Sequence, residues 1–431
     1  ARLLEANIAD QADASVAMIA DHYERAEVAD KAVEYLRRAG EQAASHFAND
    51  DAVDYFTRAL RLLQHVDRAR DWVEKQRYAS LLGREGVYAL LGRRDEQASD
   101  LAALSDLVEA MDVDGPRAEV ALRQAAYHEA TSEFSRARVE AERATRWARR
   151  ASQPDQQVKA LIAQARSLWR TGQLEEARHH LEQALALAGR HGDRAGEATA
   201  LHHMGTVLYV LGQHRAARDE LERALDIRRD LGDRPGAAIS LTNLVGIYYG
   251  LGNLMRAKAS SQQALEIHRS IGDRRGEAHA LTNLASIELN LGNLPAAREG
   301  SEQARALYRA IGDRGGEGLA ASNLGLILNA LGEDEAARQY CEEALAIRRE
   351  VGDRRGEGYT LTYLAMALEG LGGLDEAAAA YQEALHLRRE IGQDGPAIDD
   401  LAGLARVARR REDLDAAVAH VEEALAWIAA H

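Results

Sequence analysis

A 40-residue period constrains this chain more than any other feature. Gly-Asp recurs at Gly192-Asp193, Gly232-Asp233, Gly272-Asp273, Gly312-Asp313 and Gly352-Asp353, with Gly392-Gln393 as a worn sixth copy. A second glycine series runs Gly172, Gly212, Gly252, Gly292, Gly332, Gly372. Alanine keeps the same step from Ala137 to Ala417, and a parallel series runs from Ala144 to Ala424, each through eight copies. A unit this short cannot bury an apolar face alone, so its neighbours must stack on it. Composition agrees. Five prolines and 5% aromatic residues argue against sandwiches and barrels, and 29% charged beside 46% hydrophobic residues excludes disorder throughout.

Each unit reads as two helices. In residues 236–252, Leu241, Leu244, Tyr248 and Leu251 fall on one helical stripe. Gly252 ends that helix, since the residue past a C-terminus often takes the left-handed conformation. Asn253-Leu254 turns the chain, and Ala257, Ser261, Ala264 and Leu265 form the next stripe. Alanines at 257 and 264 let paired helices approach closely. Gly272 closes the second helix, and Asp273 opens the linker to the next unit.

Leu244, Tyr248, Gly252, Ala257 and Ala264 resemble the signature of tetratricopeptide repeats, helix-turn-helix units of about 34 residues. The longer unit looks like the variety in kinesin light chains, Pins-type adaptors and bacterial peptide-sensing regulators. The resemblance implies an all-α, right-handed superhelical solenoid of about ten units. Residues 118–391 read as the regular array and 392–431 as a C-terminal capping repeat. Residues 66–117 read as a degenerate unit, where Gln97 and Leu104 replace the signature alanines. Ser132 and Glu412 stand where the turn glycine belongs. Residues 1–65 read as atypical N-terminal repeats, because the stripes at 31–36 and 51–56 lie only 20 residues apart. They resemble the compact repeats that follow the ATPase and winged-helix modules of STAND-type signalling ATPases. The chain opens at Ala1 rather than Met, which fits the sensor arm of such a protein.

Little here reads as catalytic, and no cofactor is expected. The sequence has no GxxxxGK[ST] phosphate loop, HExxH helix or GxSxG elbow. Gly316 to Ala321 formally fits G-x-G-x-x-A, but it follows a helix and its sibling units lack it. His179-His180 and His202-His203 point about 100° apart within each pair, so they read as surface histidines rather than metal ligands. The one cysteine, Cys341, falls at a helix-packing position and suggests a reducing, cytoplasmic compartment. A net charge of -15 argues against a nucleic-acid partner, and no apolar run is long enough for a membrane span. Arg194, Arg234, Arg274, Arg314 and Arg354 follow each Gly-Asp, either pairing with neighbouring acids or forming an edge for an acidic partner.

The candidate binding row is Asn243, Asn283 and Asn323, each one residue before the signature leucine. In the family, first helices line a concave wall, and asparagine at this position grips an extended chain. A primary amide offers a donor and an acceptor together, matching a peptide backbone without reading its sequence. Thr242, Thr282, Ser322 and Thr362 add hydroxyls beside it, and His203 and Tyr363 end the row. Selectivity is expected from varying positions nearby: Ile239, His279, Leu319 and Tyr359, then Tyr249, Leu289, Asn329 and Glu369. The family's carboxylate clamp needs lysines where this chain carries Thr or Ser. The resulting expectation is a non-catalytic module that holds a peptide or protein segment in its groove. The alternative is an autoinhibitory or oligomerisation arm that packs against its own N-terminal ATPase or effector domains. In that case the asparagines bond within the solenoid.

Overall fold

The computed structural model describes residues 16–392 and 394–430. It falls into two compact units, Ala1–Val207 and Leu208–His431. Among the described residues every regular element is an α-helix.

The first unit holds α1 (Val16–Arg25), α2 (Ala29–Ser45), α3 (Asn49–Leu62), α4 (Arg70–Leu91), α5 (Arg94–Met111), α6 (Asp114–Ala130), α7 (Phe134–Arg150), α8 (Pro154–Arg170) and α9 (Leu174–His191). The boundary falls inside α10 (Arg194–Val210). The stripes at 31–36 and 51–56 lie on the successive helices α2 and α3, where Val33, Leu36, Ala52 and Phe56 are buried. Their 20-residue offset is therefore the ordinary helix-to-helix advance of the array, not a shortened repeat. The opening residues 1–15 lie outside the described residues.

The second unit continues with α11 (His214–Asp230), α12 (Arg234–Gly250), α13 (Leu254–Ile271), α14 (Arg274–Asn290), α15 (Leu294–Ala310), α16 (Arg314–Leu331), α17 (Asp334–Glu350), α18 (Arg354–Gly370), α19 (Leu374–Glu390), α20 (Asp394–Arg410) and α21 (Leu414–Ala430). First helices α12, α14, α16 and α18 each begin with an aspartate cap. The Oδ1 atoms of Asp233, Asp273, Asp313 and Asp353 accept from the N–H groups of Gly236, Gly276, Gly316 and Gly356 at 2.8–2.9 Å. An aspartate there satisfies an orphan donor and complements the helix dipole. The glycine has a steric cause. A Cβ on Gly276 would sit 2.0 Å from His268 Nδ1, and one on Gly316 2.2 Å from the Tyr308 ring. A large side chain from each preceding second helix thus roofs the start of the next first helix.

Turn glycines such as Gly252 and Gly272, both at φ +72°, close the helices as expected. Ser132 and Glu412 adopt the same left-handed conformation despite their Cβ atoms, at φ +61° and +63°. The alanine series forms the seam, and Ala257, Ala264, Ala297, Ala304, Ala337 and Ala344 have no exposed surface.

Charge pairs stitch consecutive units. Arg269, Arg309 and Arg349 donate through Nε to the buried Glu277, Glu317 and Glu357 of the next first helix at 2.7–2.8 Å. Burial pushes the Glu317 carboxyl up, but Arg309 and Arg314 outweigh it and hold the group below the usual range. The linker arginines bond within their own helix or to the second helix that follows it. Arg194 meets Glu197, Arg274 meets Glu277, Arg314 meets Glu317 and Glu350, Arg354 meets Glu390, and Arg234 reaches Ser270. Between α19 and α20, Arg388 donates to Asp400 at 2.8 Å with both side chains almost wholly buried. At α21 the pattern changes. Leu414, Val418, Val421, Leu425 and Ile428 form an exposed apolar stripe, whereas Tyr381, Leu385 and Arg388 at equivalent places in α19 are buried.

Candidate functional site

Within the second unit, α12, α14, α16 and α18 each touch the next first helix, and no pair of second helices does so to a comparable extent. The first helices therefore form one continuous wall. Asn243, Asn283 and Asn323 lie on it at matching positions, all half-buried. Asn323 donates through Nδ2 to Ser286 Oγ across α16 and α14 at 3.5 Å, the long limit of such a bond. No hydrogen bond joins Asn283 to another described residue, while Asn243 has an interaction partner within the protein.

The hydroxyls differ from expectation. Thr242, Thr282 and Thr362 donate back to the carbonyls of Ala238, Ala278 and Gly358 on their own helices. Thr282, Ser322 and Thr362 are buried, with Ser322 Oγ 3.0 Å from Thr360 Oγ1. Thr362 also bonds Asp400 at 2.6 Å and accepts from Arg388. A step of one residue turns about 100° around the helix, which moves Thr282 and Thr362 off the open wall and under the neighbouring helix. Such hydroxyls tune helix packing rather than offer a ligand contact.

Of the expected selectivity positions, several tie the wall together. Tyr249 Oη accepts from Asn290 Nδ2 at 2.7 Å, and Asn329 Nδ2 donates to the Tyr363 carbonyl at 2.8 Å. Tyr359 lies 4.5 Å beneath the Arg388 guanidinium. Ile239 and His279 are exposed, and His279 meets the Tyr308 ring edge-on. Burial pushes the Tyr363 phenol up to about 12, so it stays protonated. His203 belongs to the first unit. It borders a pocket of about 530 Å³ there with Phe134, Trp169, Arg166 and Arg170. Cys341 has no exposed surface, and burial raises its thiol to about 12, which removes nucleophilic character.

One pocket opens in the wall itself. Between α16 and α18, Leu319, Ser322, Asn323, Arg348, Asp353, Arg355, Gly356, Tyr359 and Tyr363 line about 300 Å³. It joins the last ladder asparagine to Tyr359 and Tyr363. It also contains Arg355, which the sequence reading passed over. The signal was present in the worn sixth copy. Arg275 pairs with Asp313 of the following unit, but the residue at the matching place for Arg355 is Gln393.

The tetratricopeptide repeat matches this sequence at residues 156–230, 196–270, 236–310, 276–350 and 316–390, together more than half of the chain. The chain belongs to the tetratricopeptide repeat family. No curated protein matches it by sequence search. Solved structures share the fold of this tetratricopeptide array at low identity. The apo form of RapI aligns with a TM-score of 0.61 at 12% identity, covering 84% of this chain and 98% of RapI. A signal transduction ATPase with numerous domains (STAND) from Pyrococcus horikoshii, which carries a tetratricopeptide repeat sensor, aligns at 0.56 and 16% identity. That match covers 87% of this chain and 53% of the ATPase, so the array spans about half of that protein. A Rap protein complexed with competence and sporulation factor aligns at 0.55 and 15%, covering 86% of this chain and 99% of the other.

Proposed function

We propose that this tetratricopeptide array is a non-catalytic sensor arm that holds an extended peptide or protein segment along its wall of first helices. The observation that carries the reading is Asn283. A half-buried amide on the open wall, with no bond to another described residue, has donor and acceptor capacity left for a backbone. Asn323, held among the described residues by one long bond, offers the same capacity at the wall pocket. The shared fold with a Rap protein solved with a bound factor supports a binding role, and the STAND sensor supports a place in a larger signalling protein.

The test is a fluorescence-polarisation screen of synthetic hexapeptides against the whole chain, followed by the triple variant Asn243→Ala, Asn283→Ala, Asn323→Ala. Binding lost with the melting curve unchanged supports the ladder. Undiminished binding removes it. A second reading, an oligomerisation or autoinhibitory arm, is favoured by the apolar stripe of α21, since patches of this kind mark interaction surfaces. Leu425→Glu should abolish self-association or docking on that reading and leave peptide binding alone.

A further inference from the structure

The wall pocket between α16 and α18 contains a cation without a counter-charge among the described residues. Three charged side chains border it: Arg348, Asp353 and Arg355. Both oxygens of Asp353 are engaged, Oδ1 by the Gly356 N–H at 2.8 Å and Oδ2 by Arg348 Nη1. Arg348 is itself buried, and its Nε has no hydrogen-bond partner. Arg355 is exposed, and no described residue is within bonding reach of it. Its counterpart Arg275 places Nε and Nη2 on Asp313 Oδ2 at 2.9 and 2.7 Å. In the unit that follows Arg355, Gln393 stands at the place of that aspartate. The described lining therefore carries one net positive charge beside the Asn323 amide and the Tyr359 ring.

We propose that Arg355 seats a carboxylate of the groove's occupant, which fixes the direction and register of a chain held by Asn323 and Asn283. The inference rests on the peptide-binding reading above. A guanidinium presents a planar fork that meets a carboxylate through two parallel N–H···O bonds. An extended chain advances about 3.3 Å per residue and packed helices lie about 8–10 Å apart. About three residues of ligand thus separate the contacts of one first helix from those of the next. A carboxylate at Arg355 would leave the preceding backbone to the asparagines. The carboxylate belongs either to a chain terminus or to an Asp or Glu side chain.

Three matched sets of synthetic hexapeptides distinguish these sources: free C-terminal acid, C-terminal amide, and C-terminal amide with one glutamate. Each is titrated by fluorescence polarisation against the whole chain and against Arg355→Gln, Arg355→Lys and the control Arg275→Gln. The expected result is a preference for one acid set over the plain amide on the order of 10- to 100-fold. Arg355→Gln should collapse it to near unity, Arg355→Lys should keep part of it, and Arg275→Gln should leave it intact. Which acid set wins identifies the source. Plain amides that bind as tightly as acids, with Arg355→Gln indistinguishable from wild type, overturn the carboxylate seat and leave the groove standing. Failure of all three sets to bind overturns the groove and the seat together.

Discussion

The pair Arg388–Asp400 offers a quantitative test of how the units are joined. Arg388 is 1% exposed and Asp400 is fully buried. Nε donates to Oδ2 at 2.8 Å, and Thr362 bonds both partners. Breaking a buried pair by removing one partner strands a charge and costs about 3–5 kcal/mol, whereas replacing both by apolar residues is often close to neutral. Asp400→Asn should therefore loosen the α19–α20 junction by about that much. The double variant Arg388→Met, Asp400→Leu should recover most of the loss. An array of repeats does not unfold as one cooperative step, so the assay must be local. Hydrogen–deuterium exchange of residues 374–410 is suitable. About 3–5 kcal/mol of lost local stability corresponds to exchange faster on the order of 100- to 5000-fold in Asp400→Asn. Near-wild-type exchange in the single variant would refute the buried-pair argument. A double variant as loose as the single would show that packing, not charge, decides the junction.

Two further outcomes follow from the same geometry. Ala344→Leu should cost about 1–3 kcal/mol by overpacking a position with no exposed surface, measured as local exchange in α17. Asp313→Ala should cost about 0.5–2 kcal/mol at neutral pH through loss of the cap. The Gly316 N–H, and then the Arg275 bond, hold the Asp313 carboxyl below its usual value of 3.8 despite some burial. A depressed folded pKa contributes stability above the unfolded value and loses it as pH falls through the folded one. The gap between wild type and Asp313→Ala should therefore close in acid, and a gap independent of pH would contradict the capping account.

The periodic parts of the fold were legible because they depend on local rules. Glycine at each turn needs a left-handed backbone, and alanine at each seam needs a close helix approach. Both requirements favour one residue type at one spacing. The Gly-Asp step was visible as punctuation, but the cap geometry of Asp313 and the roof of Tyr308 over Gly316 required the packed neighbour. The Thr row misled because polarity was read as exposure. A hydroxyl bonded to the carbonyl one turn back is satisfied and can be buried, as Thr282 and Thr362 are. Arg355 was hidden for the opposite reason. An arginine on a helix start reads as an ordinary surface charge until its partner's place, Gln393, is compared with Asp313.

The most direct test of the central claim observes the asparagine amides themselves. With asparagine side chains labelled by 15N, the wild-type chain is titrated with a hexapeptide chosen in the binding screen. The account expects the amide signals of Asn283 and Asn323 to shift on binding, as their N–H groups bond to a peptide carbonyl, while the turn residues Asn253 and Asn293 stay fixed. Saturable binding that leaves Asn283 and Asn323 unmoved would contradict it.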